Sequence, residues 1–180
     1  NPFAPMPPKL PTAFDIAAPI PCVLSDVDGV MTDGQIIYDR AGVETKTFHV
    51  RDGLAIKLWM LSGFHFGILT ARESVVVSRR ATELGIRYVA QGREEKLPSA
   101  QRMMAEMGCQ PDQVCYIGDD LTDLPVMKHV ALAVCPADAA TDVQETAHWI
   151  LRSNGGDAAL RELIERLLRA KQRWEEHLRR

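Results

Sequence analysis

Two carboxylates separated by one residue, Asp26 and Asp28 in Ser25-Asp26-Val27-Asp28-Gly29-Val30, end an apolar run that begins at Cys22. Acids this close repel each other unless one is protonated or a cation lies between them. Oxygen donors of this kind suit Mg2+, which takes one or two carboxylates together with water and substrate phosphate. Alone, the pattern is equally a solvated turn after a strand. A second apolar run, Val114–Ile117, leads into Gly118-Asp119-Asp120-Leu121-Thr122-Asp123. Acids there can be plain helix N-caps, but two strand ends bearing acid clusters are harder to assign to capping. Between them come Thr70, in Thr70-Ala71-Arg72 after Phe66–Leu69, and Lys96 at the head of a helical stretch. A hydroxyl with neighbouring N–H groups and an ammonium are what a phosphate needs. Each is ordinary surface by itself. In the order acid pair, threonine, lysine, acid cluster, each tied to its own strand, they form a specific set.

These residues can act together only if their strands lie side by side. After Cys22–Ser25, Gln35–Tyr38 and Thr45–His49 read as a hairpin around Asp39-Arg40-Ala41-Gly42. Gly53–Ser62 reads as a helix with Leu54, Leu58 and Leu61 on one face, stopped by Gly63. Strand Phe66–Leu69, helix Ser74–Leu84, strand Tyr88–Ala90 and helix Glu94–Met107 follow. Strand Val114–Ile117, short helix Leu121–Lys128, and strands Ala131–Val134 and His148–Leu151 complete the alternation. This spacing predicts an α/β fold, a three-layer Rossmann-like, mostly parallel sheet with a small β-hairpin insertion. Ligands of such sheets bind beyond the carboxyl ends of the strands, where the acids, Thr70 and Lys96 fall. From Asp157, apolar positions Leu160, Leu163, Ile164, Leu167, Leu168, Trp174 and Leu178 form a helical stripe that would close one face. A sharper reading has Trp174 and Leu178 packing on another subunit.

A chain of 180 residues suits one full domain, and its 46% hydrophobic and 25% charged residues are ordinary for a globular protein. The net charge of −3 lacks the basic footprint of a nucleic-acid binder. No apolar run approaches the roughly 20 residues needed to cross a bilayer, and no basic-then-apolar leader is expected at the start. Residues 1–20 are proline-rich and aperiodic, which predicts an extended arm ahead of a single domain over 21–180. None of Cys22, Cys109, Cys115 and Cys135 forms a C-x-x-C pair. Buried thiols in a reducing compartment are expected, hence the cytoplasm.

With these motifs in place, the chain resembles the haloacid-dehalogenase superfamily of phosphatases over about residues 21–168. Within it, the closer likeness is to the 3-deoxy-D-manno-octulosonate 8-phosphate phosphatases. It is carried by Asp26-Val27-Asp28-Gly29-Val30, Thr32-Asp33-Gly34, Phe48-His49-Val50-Arg51-Asp52-Gly53, Gln91-Gly92 with Lys96, and Tyr116-Ile117-Gly118-Asp119-Asp120. Val126-Met127 and Gly155-Gly156 with Arg161-Glu162 extend it. The resemblance implies that Asp26 becomes a transient aspartyl phosphate and Asp28 serves as its acid and base, while Thr70 and Lys96 hold phosphate oxygens. It implies Mg2+ on the Asp26 carboxylate, the Asp28 carbonyl and Asp119, with Asp120 and Asp123 orienting the site indirectly. Arg72, Arg51 and Asp33 are the substrate-binding candidates. For Arg51 the plain alternative is an ion pair with Asp52.

The stretches from Asp28 to Thr70 and from Arg72 to Lys96 leave no room for a cap domain, so neighbouring subunits are expected to supply the lid. The resemblance points to a homotetramer joined through the Gln35–His49 hairpin and the C-terminal region. Three departures stand out: Ala71 where the family has glycine, and Asp157 and Ala158 where it has arginine and glycine. An acid at 157 resembles phosphatases of nine-carbon sugar-acid 9-phosphates, which gives a second substrate reading. A receiver-type phospho-acceptor module uses similar residues, but there threonine and lysine follow the acceptor acid, whereas here the second acid cluster comes last. A phosphatase-like subunit kept mainly as a structural partner is the remaining rival.

Overall fold

A computed structural model describes residues 13–179. The chain opens with helix α1 (Ala13–Ala17), and Ala17 and Ile20 are fully buried in the core. The folded part therefore begins ahead of Pro21, with Ile16 also packed against that core. Of the expected arm, residues 1–12 lie outside the described residues. Strand β1 (Cys22–Ser25) is followed by a hairpin of two short strands, β2 (Ile37–Tyr38) and β3 (Glu44–Thr45), and helix α2 (Val50–Leu61). Then come β4 (His65–Leu69), α3 (Val75–Leu84), β5 (Tyr88–Ala90) and α4 (Lys96–Met107). Strand β6 (Val114–Ile117) enters a 3-10 turn, Leu121–Asp123, that continues into α5 (Leu124–Met127). Strand β7 (Leu132–Cys135), α6 (Thr141–Thr146), β8 (Trp149–Ile150), α7 (Ala159–Ala170) and α8 (Glu175–Leu178) complete the chain.

The six strands of the main sheet run parallel in the order β5-β4-β1-β6-β7-β8. Strands β1, β4, β6 and β7 are apolar almost throughout and buried on both faces, as a doubly covered parallel sheet requires. Alternate residues feed two cores. Val23, Ile68 and Ile117 face Trp59, Leu163 and Leu167, whereas Leu24, Leu69 and Tyr116 face Met103, Met104 and Met127. The order reverses at β1, which lies between β4 and β6 with Ser25 in register with both Ile68 and Ile117. That is the switch point at which such sheets bind ligands. Between β1 and β4 stand only the hairpin and α2, so the described chain has no cap domain. No described helix is long and apolar enough to cross a membrane.

Three local expectations change. Helix α2 starts at Val50, where the His49 ring nitrogen accepts the N–H of Arg51 as a cap. Its buried face is Ala55, Ile56 and Trp59 rather than the leucine stripe, and Leu54 and Leu61 are exposed. Apolar residues lie on both sides of this helix, the leucines on one and Ala55, Ile56 and Trp59 on the other, so periodicity alone does not select the inner face. Trp174 is 4% exposed inside the core, with Arg161 and Arg169 over its ring, while Leu178 stays exposed. All four cysteines are buried and free.

Candidate active site

The carboxyl ends of β1, β4 and β6 form a cleft of about 260 Å3 lined by Asp26, Asp28, Gly34, Thr70, Ala71, Arg72, Lys96, Asp119, Asp120 and Thr122. Asp26 is the first residue beyond β1 and keeps the sheet's ladder going through its N–H to Ile117 O. Its Oδ1 accepts the N–H of Val27 at 2.7 Å, and its Oδ2 lies 2.8 Å from Lys96 Nζ. Gly29 (φ +85°) turns the chain immediately after, and a Cβ there would overlap the Asp119 carboxylate. Behind this turn the loop before α7 wedges it in place. Gly156 N–H donates to Val30 O at 2.9 Å, and a Cβ on Gly155 would collide with Gly29 O. Gly155-Gly156, which extends the family likeness, thus has a steric reason to be glycine.

Lys96 begins α4 and is almost wholly buried, where an ammonium needs partners. Besides Asp26 it reaches Asp123 Oδ1 at 2.6 Å. Asp123 is fully buried and fully engaged: Oδ1 also accepts the Tyr116 hydroxyl at 2.5 Å, and Oδ2 accepts the N–H groups of Asp119 and Asp120. Asp123 thus orients Lys96 and the acid loop. Oxygens of Asp26, Asp119 and Asp123 come within 4.8 Å of one another. Burial, then repulsion from Asp26 and Asp123, pushes the Asp119 carboxyl well above the usual carboxylate range. Asp26 is raised too, by burial and Asp123, against the pull of Lys96. Asp119 Oδ1 is buried with no hydrogen-bond partner. Two crowded carboxylates, one with an orphaned oxygen, are the donor set a divalent cation fits. Since Asp123 has no oxygen to spare, Asp26 and Asp119 are the carboxylates that would hold it.

Thr70 is buried at the end of β4, its N–H donating to Ala90 O. Arg72 also reaches the cleft, with Nε 3.8 Å from Asp28 Oδ2 and Nη2 3.0 Å from the Tyr38 hydroxyl. Two candidates stay outside. Arg51 lines a separate groove of about 730 Å3 with Arg152, Arg161 and Arg166, and the Arg51–Asp52 pair is not formed. Asp33 is exposed, its carboxylate taken up by the N–H and side-chain amide of Gln35.

Three residues of the site escaped sequence reasoning. Lys46 Nζ lies 2.5 Å from Asp28 Oδ1, and Glu44 receives Ser74 Oγ at 2.5 Å together with Arg72. Glu44 and Lys46 are two apart on the hairpin's inner face, with Val43 and Thr45 outward. Period-two alternation is the signal that could have found them, but in reverse, with charge facing in. Tyr116 reads as an ordinary strand aromatic, and no sequence signal marks its hydroxyl.

A haloacid dehalogenase-like hydrolase family model matches residues 93–163. The 3-deoxy-D-manno-octulosonate 8-phosphate phosphatase KdsC of Yersinia pestis is 42% identical over 168 residues, 92% of this chain and 90% of that protein. The enzyme of the same name from Escherichia coli K12 is 37% identical over 169 residues, with 92% and 90% covered. The crystal structure of the Moraxella catarrhalis phosphatase, in complex with magnesium, phosphate and a KDO molecule, superposes with a TM-score of 0.90. It is 34% identical, with 93% of this chain and 96% of that chain covered. On sequence and fold alike, this chain belongs to the haloacid dehalogenase-like hydrolases, in the family of 3-deoxy-D-manno-octulosonate 8-phosphate phosphatases.

Proposed function

We propose that this phosphomonoesterase hydrolyses 3-deoxy-D-manno-octulosonate 8-phosphate to the free sugar acid and phosphate through an aspartyl phosphate on Asp26. The observation that carries the reading is the convergence of Asp26, Asp28, Thr70, Lys96 and Asp119 on one cleft at the switch point of the sheet. An Asp26 carboxylate oxygen forms a bond to phosphorus as the phosphorus–sugar oxygen bond breaks, and Asp28 gives its proton to the departing oxygen. Water then attacks the phosphorus of the aspartyl phosphate as Asp28 takes a proton from that water, the bond between phosphorus and the Asp26 oxygen breaks, and phosphate leaves with Asp26 restored. Thr70 and Lys96 hold the non-bridging oxygens, and Asp123 keeps the Lys96 ammonium in place. Asp26 and Asp119, with the Asp28 carbonyl, would hold Mg2+, which would supply charge neutralisation between the anionic nucleophile and the phosphate. Arg72 lines the cleft and is the candidate to meet the sugar-acid end, while Arg51 lines another groove and the Asp33 carboxylate is held by Gln35, so neither takes that role in its own chain unless a second copy presents it.

The exposed apolar side chains of the hairpin, Ile36, Ile37, Tyr38 and Val43, together with Val50 and Val75, support a homotetramer in which neighbours cover the open cleft. Four unpaired buried thiols fit a reducing, cytoplasmic setting. Exposed Asp157 keeps a nine-carbon sugar-acid 9-phosphate as the second reading. The test is phosphate release across eight- and nine-carbon sugar-acid phosphates, with and without Mg2+. The eight-carbon ester should give the highest kcat/KM, Mg2+ should be required, and Asp26→Asn should be folded and inactive. Preference for the nine-carbon ester would replace the substrate, and an active Asp26→Asn would remove the mechanism.

A further inference from the structure

The hairpin between β1 and β4 is exposed along most of its length, yet one of its side chains is almost completely hidden. The Lys46 side chain is 1% exposed, and its ammonium turns inward to Asp28 Oδ1 at 2.5 Å and Glu44 Oε1 at 3.4 Å. Burying an ammonium is costly unless its partners are well placed, so this inward turn demands a reason. Glu44 is held in turn by Ser74 Oγ at 2.5 Å and Arg72 Nη2 at 3.4 Å, which straps the hairpin to the turn carrying Thr70 and Arg72. The strap ends on the catalytic acid. Asp28 Oδ1 is occupied by Lys46 and by the Thr32 hydroxyl at 3.3 Å. Among the described residues, its Oδ2 has only the Arg72 Nε contact, at 3.8 Å, and is the oxygen left for the cleft.

We propose that Lys46 is a positioning residue for Asp28: it fixes the carboxyl so that Oδ2 faces the leaving-group oxygen. This rests on the reading of Asp28 as the acid that protonates that oxygen. In the step concerned, the phosphorus–oxygen bond breaks, its electron pair goes to the leaving oxygen, and the proton on Asp28 follows it there. Lys46 itself neither gains nor loses a proton. Nothing in this role depends on the identity of the sugar acid. It depends only on the leaving group needing a proton, which gives it a signature that a purely structural lysine lacks.

The experiment compares kcat/KM, which reports every step up to departure of the leaving group, for Lys46→Met, Lys46→Arg, Asp28→Asn and the intact enzyme with Mg2+. Three monoesters are used: the sugar-acid phosphate; glycerol 3-phosphate, whose alkoxide leaving group needs a proton but carries no carboxylate; and p-nitrophenyl phosphate, whose phenolate does not need one. Lys46→Met should lower kcat/KM for both alkyl esters by the same factor, about tenfold to a hundredfold. It should change p-nitrophenyl phosphate hydrolysis less than threefold, and Lys46→Arg should recover most of the loss. Equal losses on all three esters would assign Lys46 to structure, and loss on the sugar-acid ester alone would make it a carboxylate contact. Either result overturns the proposal. If Asp28→Asn also treats the three esters alike, the assignment of the acid fails and the proposal falls with it. Thermal melting of each variant identifies any that do not fold, and the Lys46→Arg comparison then decides.

Discussion

Replacing Asp52 by asparagine should make this protein more stable at neutral pH. Asp52 is the third residue of α2 and is 3% exposed. Its Oδ1 accepts the N–H of Arg161 in the first turn of α7 at 2.8 Å, and its Oδ2 is buried with no partner. Helix α7 has no cap of its own, because Ala158 at its start is left-handed (φ 65°) and offers no side-chain oxygen. Asp52 therefore caps α7 from across the helix interface, holding the end of the loop that wedges Gly29. Burial raises its carboxyl from 3.8 to about 6, against the Arg161 N–H and the charges of His49 and Arg80, and with the help of Asp157. The folded state thus binds the proton more tightly than the unfolded chain. The penalty for ionising Asp52 is absent below pH 4, grows between about 4 and 6, and is complete above. At about 1.4 kcal/mol for each pH unit, it reaches on the order of 3 kcal/mol at pH 7. Asparagine keeps the Oδ1 acceptor and carries no charge, so Asp52→Asn should recover much of this, raising Tm by several degrees. Asp52→Ala removes the acceptor too and should fall about 1 kcal/mol below asparagine. Denaturation at pH 4.5 and 7.5 is the assay, with the Asn advantage large at 7.5 and small at 4.5. Destabilisation by asparagine at pH 7.5 would refute the reasoning, because it would mean that charge attraction at the α7 terminus outweighs burial.

Two further outcomes follow from the geometry. Tyr116→Phe removes one of the two donors to Asp123 Oδ1 and loosens the hold on Lys96. Leaving that buried oxygen with one partner fewer should cost about 1–3 kcal/mol in stability and lower kcat several-fold more than it changes KM, as steady-state kinetics and melting would register. Sedimentation should find a tetramer, and the double change Ile37→Glu and Val43→Glu should break it into smaller species with lost activity. A fully active wild-type monomer would rule out the shared lid.

Much of the site is legible in the chain because strand ends carry it. An apolar run that stops at an acid, a threonine or a glycine marks its own place on a parallel sheet, and this locates Asp26, Thr70 and Asp119 without tertiary information. The inner face of α2 was not legible. Its leucines and its Ala55-Ile56-Trp59 face are both apolar, and only packing against α7 decides between them.

By itself, then, the sequence determined the parallel sheet, the order of its motifs and the acid pair, since periodicity and residue type act locally along each strand. Tertiary structure alone decided which charges meet. It set Lys46 on Asp28 from a hairpin 18 residues away and hung α7 from Asp52 across 109 residues. It saturated Asp123 so that Asp119 keeps a free oxygen, and it moved Arg51 away from the cleft. Such pairings follow from how far a side chain can reach and how much water its surroundings exclude, and neither quantity is defined until the elements have packed.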